Sequence, residues 1–577
     1  MNTWTFLHKY RTLYWKKFLV AAMFVTIEAT CDLLQPTIMA KIIDIGVAGR
    51  QSDYILNQGV LMVVITAIGA FAACARNVIA SKVSQNFGSE LRGDLYEKIQ
   101  MLSFDNIDNL NRNSLVTRLT NDVNQVQQLV NSLMRISLKA PLLCIGSLIM
   151  AINLNPHLSV VLVFVIPIIV ILIAINIKVG FPRFAMVQSA LDQVNAVMRE
   201  YLSGIRVVKA FKRFEYEQEK FATANQELQE KSVGAIRLMS VFGPSIALTV
   251  NLGIVMVLWL GGLGVNTGEI QVGHIIAFIN YMTQILLSLM IMFLIFNHFV
   301  RAKASVMRIG EVFNQDNDAK WIPNSSTRQL LKNGRIDFEN VSFSYAGSAG
   351  SMVLKEINLT CLPGQTVGII GSTGSGKTSL VNLIPRFYEV TTGSITVDGY
   401  DITAINPGQL RDKIALVPQQ AVLFTGTIMD NIRWGKEDAT ADEIESAAKL
   451  AAAHDFIISF PEGYNTKLGQ GGVNLSGGQK QRLAIARALI RKPTILILDD
   501  CTSAVDVVTE EKIKKALKQY TSQLTCLVVA QRISTVQDAD KIAVIEQGAI
   551  TACGTHTELL QTSSVYREIV QSQLGRR

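Results

Sequence analysis

Six apolar stretches in roughly the first 300 residues restrict the possible fold of this chain more than any other feature. A helix needs about 20 apolar residues to cross the hydrocarbon core of a bilayer. Windows of that length lie near residues 18–40, 57–79, 134–154, 158–178, 239–262 and 274–299. The 577 residues are 49% hydrophobic and only 17% charged, which is too apolar for a soluble protein of this length. We predict an all-α domain of six transmembrane helices in a lipid bilayer, with both termini on one side.

The distribution of basic residues indicates which side that is. Lys and Arg are frequent before the first span and between the fourth and fifth spans, whereas the short loops on the opposite side carry almost none. The basic residues are His8, Lys9, Arg11, Lys16 and Lys17 in the first segment and Arg199, Arg206, Lys209, Lys212 and Arg213 in the second. Cytoplasmic loops carry an excess of Lys and Arg. We therefore expect a multi-pass protein of the plasma or inner membrane whose termini lie in the cytoplasm.

Charge and cysteine content restrict the classes of partner. The net charge of +8 is explained by basic cytoplasmic loops, and no stripe of Lys and Arg alternates with aromatic residues, so we do not expect nucleic-acid binding. The seven cysteines are scattered without a CxxC pair, which supports neither a disulfide framework nor a zinc site. The first apolar stretch is too long for a signal peptide, so we expect it to remain as a transmembrane helix.

Two long polar stretches of helical character separate the spans on the cytoplasmic side, at residues 84–128 and 182–237. Folded as helical hairpins, they would extend some tens of ångströms at about 1.5 Å per residue. Their tips are predicted at Asn113–Arg118 and Lys212–Glu217, where they would press on a soluble domain. Solvated helices without a coupling role are the alternative. We assign residues 1–313 to the membrane domain, 314–334 to a linker rich in Asn, Asp, Ser and Lys, and 335–577 to a soluble α/β domain, which opens with a strand at 335–343.

A phosphate-binding loop is the clearest motif of the soluble domain. The strand-like residues 366–370 lead into the loop 371–378, of sequence GSTGSGKT, and a helical segment follows. Backbone N–H groups of such a loop close around phosphates, and Lys377 adds a point charge. The candidate ATP ligands are Gly371, Ser372, Thr373, Gly374, Ser375, Gly376, Lys377, Thr378 and Ser379, with Tyr345 as a stacking partner for the adenine ring. The cofactors implied are ATP and Mg²⁺.

Oxygen ligands for the magnesium ion are predicted from three separate segments. Thr378 offers its hydroxyl, Asp499 ends an apolar strand, and Gln419 can reach both the metal and the attacking water from a mobile loop. A second anion site is predicted where the segment Leu475, Ser476, Gly477, Gly478 and Gln479 runs into a helix, because a helix N-terminus attracts negative charge. That second site must serve a phosphate other than the one beside Lys377.

These motifs, in this order and after six spans, resemble those of an ABC exporter half-transporter across essentially the entire chain. Residues 114–123 and 204–211 resemble the two intracellular loops of that family, which carry its coupling helices. The resemblance implies that two halves dimerise and enclose two ATP molecules head to tail. Leu475–Gln479 would then contact the nucleotide of the partner subunit, and Asp506 would belong to the D-loop.

Two positions depart from the pattern of that family. Asp500 stands where a Glu polarises the attacking water, and Gln531 stands where a His contacts the γ-phosphate. Asp500 is one methylene shorter than Glu, and Gln531 cannot carry a positive charge. The resemblance therefore implies the degenerate half of a bacterial heterodimer, whose non-identical partner brings the Glu and His. An ATP-sensing membrane subunit with little turnover is the alternative, although the intact LSGGQ signature argues against it.

The transported substrate follows only from the resemblance, which favours outward multidrug efflux of hydrophobic or amphiphilic compounds. A dedicated exporter of lipids, peptides or thiol compounds has the same ATP motifs. Charges inside a membrane suggest function, and Glu28 and Asp32 of the first span would attract cationic amphiphiles, pair with a basic residue of the partner, or touch outer-leaflet water in one state. The last span carries a polar stripe of Tyr281, Gln284, Ser288 and Met292, which would line a cavity or form a helix-packing seam.

Overall fold

The computed structural model describes residues 6–315, 332–345, 351–520 and 524–574, without the side chains of residues 181, 294, 296, 297 and 519. It separates into two compact units, one of Met1–Glu97 and Val116–Asn314 and the other of Lys98–Leu115 and Gln315–Arg577. The second unit thus includes a short segment that the sequence analysis assigns to the membrane domain. Most of the predicted linker, residues 316–331, lies outside the described residues.

Long helices form the first unit, and among the described residues six helical stretches are long and apolar enough to cross a membrane. Their outward faces carry large apolar side chains, such as Phe71 and Trp259, each 70% exposed. A helix that is apolar all round suits lipid rather than water. The helices are α1 (Leu7–Lys41), continued by a π-helical turn (Ile42–Val47), α2 (Ser52–Gln100), α3 (Phe104–Leu110), α4 (Arg112–Thr117), a π-helical turn (Arg118–Asp122), α5 (Val123–Arg135), α6 (Lys139–Leu154), α7 (Pro156–Ala210), α8 (Phe214–Asn266) and α9 (Val272–Asn314), of which α3 and most of α4 belong to the second unit.

The first polar arm bends earlier than the sequence analysis predicts. Helix α3 begins after Ser103, whose Oγ accepts a hydrogen bond from the Asn106 amide at 3.2 Å. It ends at Asn111, which has a left-handed φ of 61°. The predicted tip at Asn113–Arg118 is wrong, because those residues already lie in the returning helices. An N-cap serine and a residue that tolerates left-handed backbone decide where the arm turns.

The second polar arm is a hairpin of α7 and α8. Its turn lies at Phe211–Arg213, and α8 begins at Phe214. Lys212 has a left-handed φ of 54° there. The predicted second tip, Lys212–Glu217, overlaps this turn.

The second unit is built on a mostly parallel sheet and an antiparallel sheet. The described strands form a six-stranded sheet in the order β12-β11-β3-β10-β9-β6, a four-stranded sheet in the order β2-β1-β4-β5, and the pair β7-β8. The strands are β1 (Ile336–Phe343), β2 (Leu354–Cys361), β3 (Thr366–Gly371), β4 (Thr392–Val397), β5 (Tyr400–Asp401), β6 (Ile414–Val417), β7 (Gly426–Thr427), β8 (Lys467–Leu468), β9 (Ile495–Asp499), β10 (Thr525–Val529), β11 (Lys541–Glu546) and β12 (Ala549–Gly554).

Helices cover the sheets of the second unit, and apolar side chains fill the space between the sheets. The buried residues Phe338, Ile369 and Leu527 belong to one cluster that joins the antiparallel sheet to the parallel one. The helices are α10 (Lys377–Leu383), α11 (Pro407–Asp412), α12 (Ile428–Arg433), α13 (Ala441–Leu450), α14 (His454–Ile458), α15 (Gly477–Leu489), α16 (Val507–Tyr520), α17 (Ile533–Val536), α18 (His556–Thr562) and α19 (Ser564–Leu574). The predicted fold class, a six-helix membrane domain followed by an α/β P-loop domain, is confirmed.

The order of the parallel strands determines where the candidate site lies. Strands β3, β10 and β9 are neighbours and run in the same direction. Their carboxyl ends therefore meet at one edge of the sheet, where open α/β sheets bind ligands. The phosphate loop follows β3, Asp500 follows β9, and Gln531 lies two residues beyond β10.

Candidate active site

The phosphate loop connects β3 to α10 and wraps closely against neighbouring backbone. A Cβ at Gly371 would lie 2.1 Å from the carbonyl oxygen of Ile545, so only glycine fits there. Gly376, the N-cap of α10, has a φ of 99°, and a Cβ there would lie 2.8 Å from a methyl group of Leu354. Glycine alone adopts such backbone without strain. The loop can thus close around an anion beside the N-terminus of α10.

Lys377 is held inside the concave side of this loop. Its side chain is buried, and Nζ donates hydrogen bonds to the carbonyl oxygens of Gly371 at 3.0 Å and Ser372 at 2.7 Å. Burial lowers the pKa of this ammonium, while Asp500 and Asp499 act in the opposite direction. A buried cation with few neutralising partners favours an anionic ligand. Lys377 is placed to meet a phosphate in the loop.

The Thr378 hydroxyl and the Asp499 carboxylate, two candidate oxygen ligands, lie side by side. The Thr378 hydroxyl donates to Oδ1 of Asp499 at 3.0 Å, and Asp499 is only 4% exposed at the end of β9. Burial raises the pKa of this carboxyl group. Mg²⁺ prefers oxygen ligands and commonly binds through one or two protein groups together with waters and substrate phosphates. The two oxygens fit such an ion, which when bound would neutralise charge on the phosphates.

Asp500 accepts hydrogen bonds from two glutamines, Gln419 and Gln531, which the sequence analysis places at the attacking water and at the γ-phosphate. Its Oδ2 accepts hydrogen bonds from Nε2 of Gln419 at 3.2 Å and from Nε2 of Gln531 at 3.0 Å. Asp500 also has a left-handed φ of 47°. Burial raises its carboxyl pKa, and the hydrogen bond from Gln419 is the largest opposing influence. The two positions that depart from the family pattern therefore contact each other directly.

These groups line one cleft of about 220 Å³. The lining residues are Val353, Thr373, Gly374, Ser375, Gly376, Lys377, Thr378, Ser379, Gln419, Asp499, Asp500, Val529 and Gln531. Tyr345 does not line the cleft. Its hydroxyl lies 2.8 Å from Oγ of Ser379, and Ser379 is one of the lining residues. Leu475–Gln479 and Asp506 are also not among the described residues that line the cleft.

The signature segment forms the N-terminus of another helix, α15. Ser476 is the N-cap: its Oγ accepts from the Gln479 amide at 3.3 Å, and Oε1 of Gln479 accepts from the Ser476 amide at 2.9 Å. A Cβ at Gly478 would lie 2.8 Å from the carbonyl oxygen of Ala504. The signature therefore packs directly against the segment that precedes Asp506. Oδ1 of Asp506 accepts from the Thr509 amide at 2.9 Å, and this backbone bond lowers the carboxyl pKa.

Known proteins share both parts of this chain. Residues 18–289 match the family model of the ABC transporter transmembrane region, and residues 354–503 match that of the ABC transporter. The uncharacterized ABC transporter ATP-binding protein YfiB of Bacillus subtilis is 41% identical over 557 residues, which cover 96% of each chain. This chain belongs to the ABC transporter family.

Its class within the family follows from a solved structure. A bacterial Atm1-family ABC exporter with ATP bound superposes with a TM-score of 0.82 at 25% identity, covering 98% of this chain and 99% of that one. This ABC exporter half-transporter thus combines a membrane domain with an ATP-hydrolysing domain. The Fatty acid ABC transporter ATP-binding/permease protein of Mycobacterium tuberculosis is 34% identical over 482 residues, which cover 84% of this chain and 76% of that protein.

Three residues of this ABC exporter half support the site, and sequence analysis missed them. Gln481 is buried. Its Oε1 accepts a hydrogen bond from the Ala504 amide at 3.1 Å, and its Nε2 donates to Oγ of Ser503 at 3.4 Å. The buried Glu510 accepts from the hydroxyls of Thr502 at 3.2 Å and Thr535 at 2.8 Å.

The third is Gln573, in the last described helix. It donates to the carbonyl oxygen of Gln531 at 2.6 Å and accepts from the Ile533 amide at 2.8 Å. No local motif marks any of these three side chains, because their partners are distant in sequence.

The intramembrane acids of this ABC exporter half are paired within the chain. Glu28 contacts Arg76 at 2.9 Å and Lys139 at 2.6 Å, and Asp32 contacts Lys139 at 2.9 Å. Attraction of cationic amphiphiles, pairing with a basic residue of the partner and contact with outer-leaflet water in one state stay predictions for these two acids. Lys139 and Arg76 lie on α6 and α2, so only the folded bundle brings them to α1.

The polar stripe of the last span packs against α1 and α6. Tyr281 is fully buried and donates to the carbonyl oxygen of Leu33 at 2.7 Å, with the Thr37 hydroxyl 2.6 Å away. Gln284 accepts from the Ser147 hydroxyl at 2.8 Å. Ser288 is buried and Met292 half-buried. Of the two alternatives, these contacts correspond to a helix-packing seam.

Proposed function

We propose that this chain is one half of a heterodimeric ABC exporter that moves hydrophobic or amphiphilic compounds outward, with a degenerate ATP site of its own. A non-identical partner half brings the catalytic Glu and His, and Leu475–Gln479 of this chain completes the partner's site. The Mg²⁺ ligands are Thr378, Gln419 and Asp499. The domain boundaries are 1–313, 314–334 and 335–577, and the termini and the ATP domain are cytoplasmic.

The hydrogen bonding of Asp500 carries this proposal. Its Oδ2 is occupied by two glutamine amides at 3.2 and 3.0 Å. General-base assistance needs a carboxylate within hydrogen-bond reach of the proton it removes. An aspartate that is one methylene shorter than Glu and already accepts two hydrogen bonds is a poor base. ATP at this site would be retained rather than cleaved.

The ordered signature supports a hydrolytic role beside the partner. The Ser476–Gln479 capping box fixes the helix N-terminus, and Gln481 ties that helix to the D-loop. A preorganised helix N-terminus stabilises charge that develops on phosphate oxygens. A subunit that only sensed ATP would have no need of this arrangement.

Multidrug efflux remains the proposed substrate class, from the family resemblance. The similarity to a protein named as a fatty acid transporter favours one alternative, a dedicated lipid exporter. Both substrates are amphiphilic and leave from a membrane, so the proposed ATP mechanism is the same for each.

The test compares two variants in the complex isolated gently from native membranes. Ser476→Arg is expected to lower ATP hydrolysis on the order of 10²-fold, as removal of a preorganised anion-stabilising group does. Asp500→Asn is expected to change the rate of ATP hydrolysis by less than about twofold. On this proposal the general base, which contributes about 10²–10⁴-fold to the rate, belongs to the partner.

Thr440→Arg is the matched control, since Thr440 caps α13 with the same capping box as Ser476. It should leave hydrolysis unchanged. A larger loss from Asp500→Asn than from Ser476→Arg would contradict the assignment of the two sites.

A further inference from the structure

The last described helix, α19, is anchored beside the candidate site by buried side chains. Tyr566 is fully buried in a cluster that also contains Ile533 of α17 and Val544 of β11. Its hydroxyl lies 2.7 Å from Nδ1 of His556 in α18, and Ile569 packs against the same cluster. Close-packed buried side chains leave little room for movement. Helix α19 therefore gives a fixed support to the side chains that extend from its end.

Gln573, in the last turn of α19, bonds the backbone of the short connection between β10 and α17. Its Nε2 donates to the carbonyl oxygen of Gln531 at 2.6 Å, and its Oε1 accepts from the Ile533 amide at 2.8 Å. Strand β10 ends at Val529 and α17 begins at Ile533, so residues 530–532 lie outside regular structure. One side-chain amide thus holds this connection at two points that are two residues apart.

This connection presents Gln531 to the cleft of the phosphate loop. Gln531 lines that cleft together with Lys377, and its Nε2 donates to Oδ2 of Asp500 at 3.0 Å. An amide N–H in this place can also donate to an oxygen of a terminal phosphate. A hydrogen bond from a fixed donor contributes more to binding than one from a mobile donor, because the fixed donor loses less freedom when the ligand arrives. The position of the Gln531 backbone therefore affects how strongly its side chain can hold a nucleotide.

We propose that Gln573 is a positioning residue that holds the Gln531 amide toward the terminal phosphate of ATP in this chain's own cleft. Through Gln573, helix α19 makes the cleft retain ATP longer than ADP, which lacks that phosphate. The backbone bonds of Gln573 fix where residue 531 lies, and the side-chain amide of Gln531 contacts the nucleotide. The inference rests on the proposed retention of ATP at this cleft.

Nucleotide dissociation from the full chain, isolated with the partner that copurifies, tests this role. The complex is loaded with Mg²⁺ and radiolabelled 8-azido-ATP or 8-azido-ADP, chased with unlabelled nucleotide and irradiated at intervals. Separation of the chains on a gel then shows how much label this chain still holds. In the unchanged protein, 8-azido-ATP should leave more slowly than 8-azido-ADP. Gln573→Ala should speed the loss of 8-azido-ATP about tenfold, the effect of one lost hydrogen bond to a charged group, and that of 8-azido-ADP less than about twofold.

Gln571→Ala is the matched control, because Gln571 is an exposed glutamine of the same helix. It should leave both dissociation rates unchanged. Gln531→Ala separates positioning from a merely structural role, since it keeps the backbone carbonyl that Gln573 bonds but removes the side-chain amide. In the Gln531→Ala background, Gln573→Ala should no longer change the ratio of the two dissociation rates.

Three results would overturn the positioning role: unchanged loss of 8-azido-ATP in Gln573→Ala, equally faster loss of both nucleotides, or an altered ratio that persists in the Gln531→Ala background. If Gln573→Ala does not fold, Gln573→Glu decides, because a carboxylate still accepts from the Ile533 amide but cannot donate to the Gln531 carbonyl. Faster loss of 8-azido-ATP alone then supports the role, and any other result overturns it. If the unchanged protein loses 8-azido-ATP as fast as 8-azido-ADP, the proposed retention of ATP fails, and this role fails with it.

Discussion

At the scale of single residues, the proposed degeneration of this site depends on the length of the Asp500 side chain, one methylene group shorter than Glu. The carboxylate follows directly on β9, and its backbone N–H bonds the carbonyl oxygen of Val529 at 2.9 Å. This bond fixes the base of the side chain, so its length decides how far the oxygens extend. Two glutamine amides reach the oxygen at this length. A longer Glu would extend past them into the cleft.

The double change Asp500→Glu with Gln531→His should therefore restore hydrolysis at this chain's own site. We expect a gain of about 10²-fold, the lower end of general-base assistance. The measurement is made in the Ser476→Arg background, so that the partner's site is silent. Gln531→His alone should give a smaller gain, because the short carboxylate remains. Equal turnover with and without the double change would contradict degeneration of this site.

At the scale of elements, buried charges join three helices of the membrane domain. Glu28 and Arg76 have side chains only 8% and 9% exposed, and Lys139 contacts both Glu28 and Asp32. Arg76 also donates to the carbonyl oxygen of Arg135 at 2.8 Å. Buried ions are tolerated when each has a partner, and they are costly when one partner is removed. The network thus specifies how α1, α2 and α6 pack together.

Removal of one charge from this network should destabilise the membrane domain more than removal of two opposite charges. Glu28→Leu should destabilise the membrane domain by roughly 3–5 kcal/mol, because it leaves Arg76 buried without its carboxylate. Glu28→Leu with Arg76→Leu should recover much of that loss, since Lys139 keeps Asp32. Thermal unfolding in detergent measures both effects.

The control for this experiment is Glu200→Leu, which removes an exposed ion pair with Lys220. Such pairs contribute about 1 kcal/mol or less. If Glu28→Leu with Arg76→Leu were less stable than Glu28→Leu alone, the prediction would be contradicted. Each charge would then stabilise the packing even without its oppositely charged partner.

At the scale of the whole molecule, the phosphate loop and the signature segment lie in separate places on one chain. The phosphate loop lies in a cleft with Asp499 and Asp500, whereas the signature packs against the segment 503–506. A second chain must bring its own signature to this cleft if the family arrangement holds. The proposed asymmetry between a degenerate cleft and an intact signature then predicts a partner with the opposite pattern.

Mass spectrometry of the proteins that copurify with the tagged chain tests this asymmetry. We expect a second exporter half that carries Glu and His at the positions of Asp500 and Gln531, in roughly equal amount. A mock purification from cells with an untagged chain identifies background proteins. Recovery of this chain only with itself would mean two weak sites and would favour the low-turnover alternative.

The sequence determined the fold class and the presence of the ATP motifs, because both depend on local patterns. Apolar windows of fixed length predict membrane helices, and a strand, a glycine-rich loop and a helix in succession predict the phosphate site. Tertiary structure alone decided the partners of Glu28 and Asp32, the shared hydrogen bonds of Asp500 and the contacts of Gln573. Those features depend on residues up to 111 positions apart in the chain, such as Glu28 and Lys139, which meet only after packing. The spacing of residues within a short motif cannot predict such contacts.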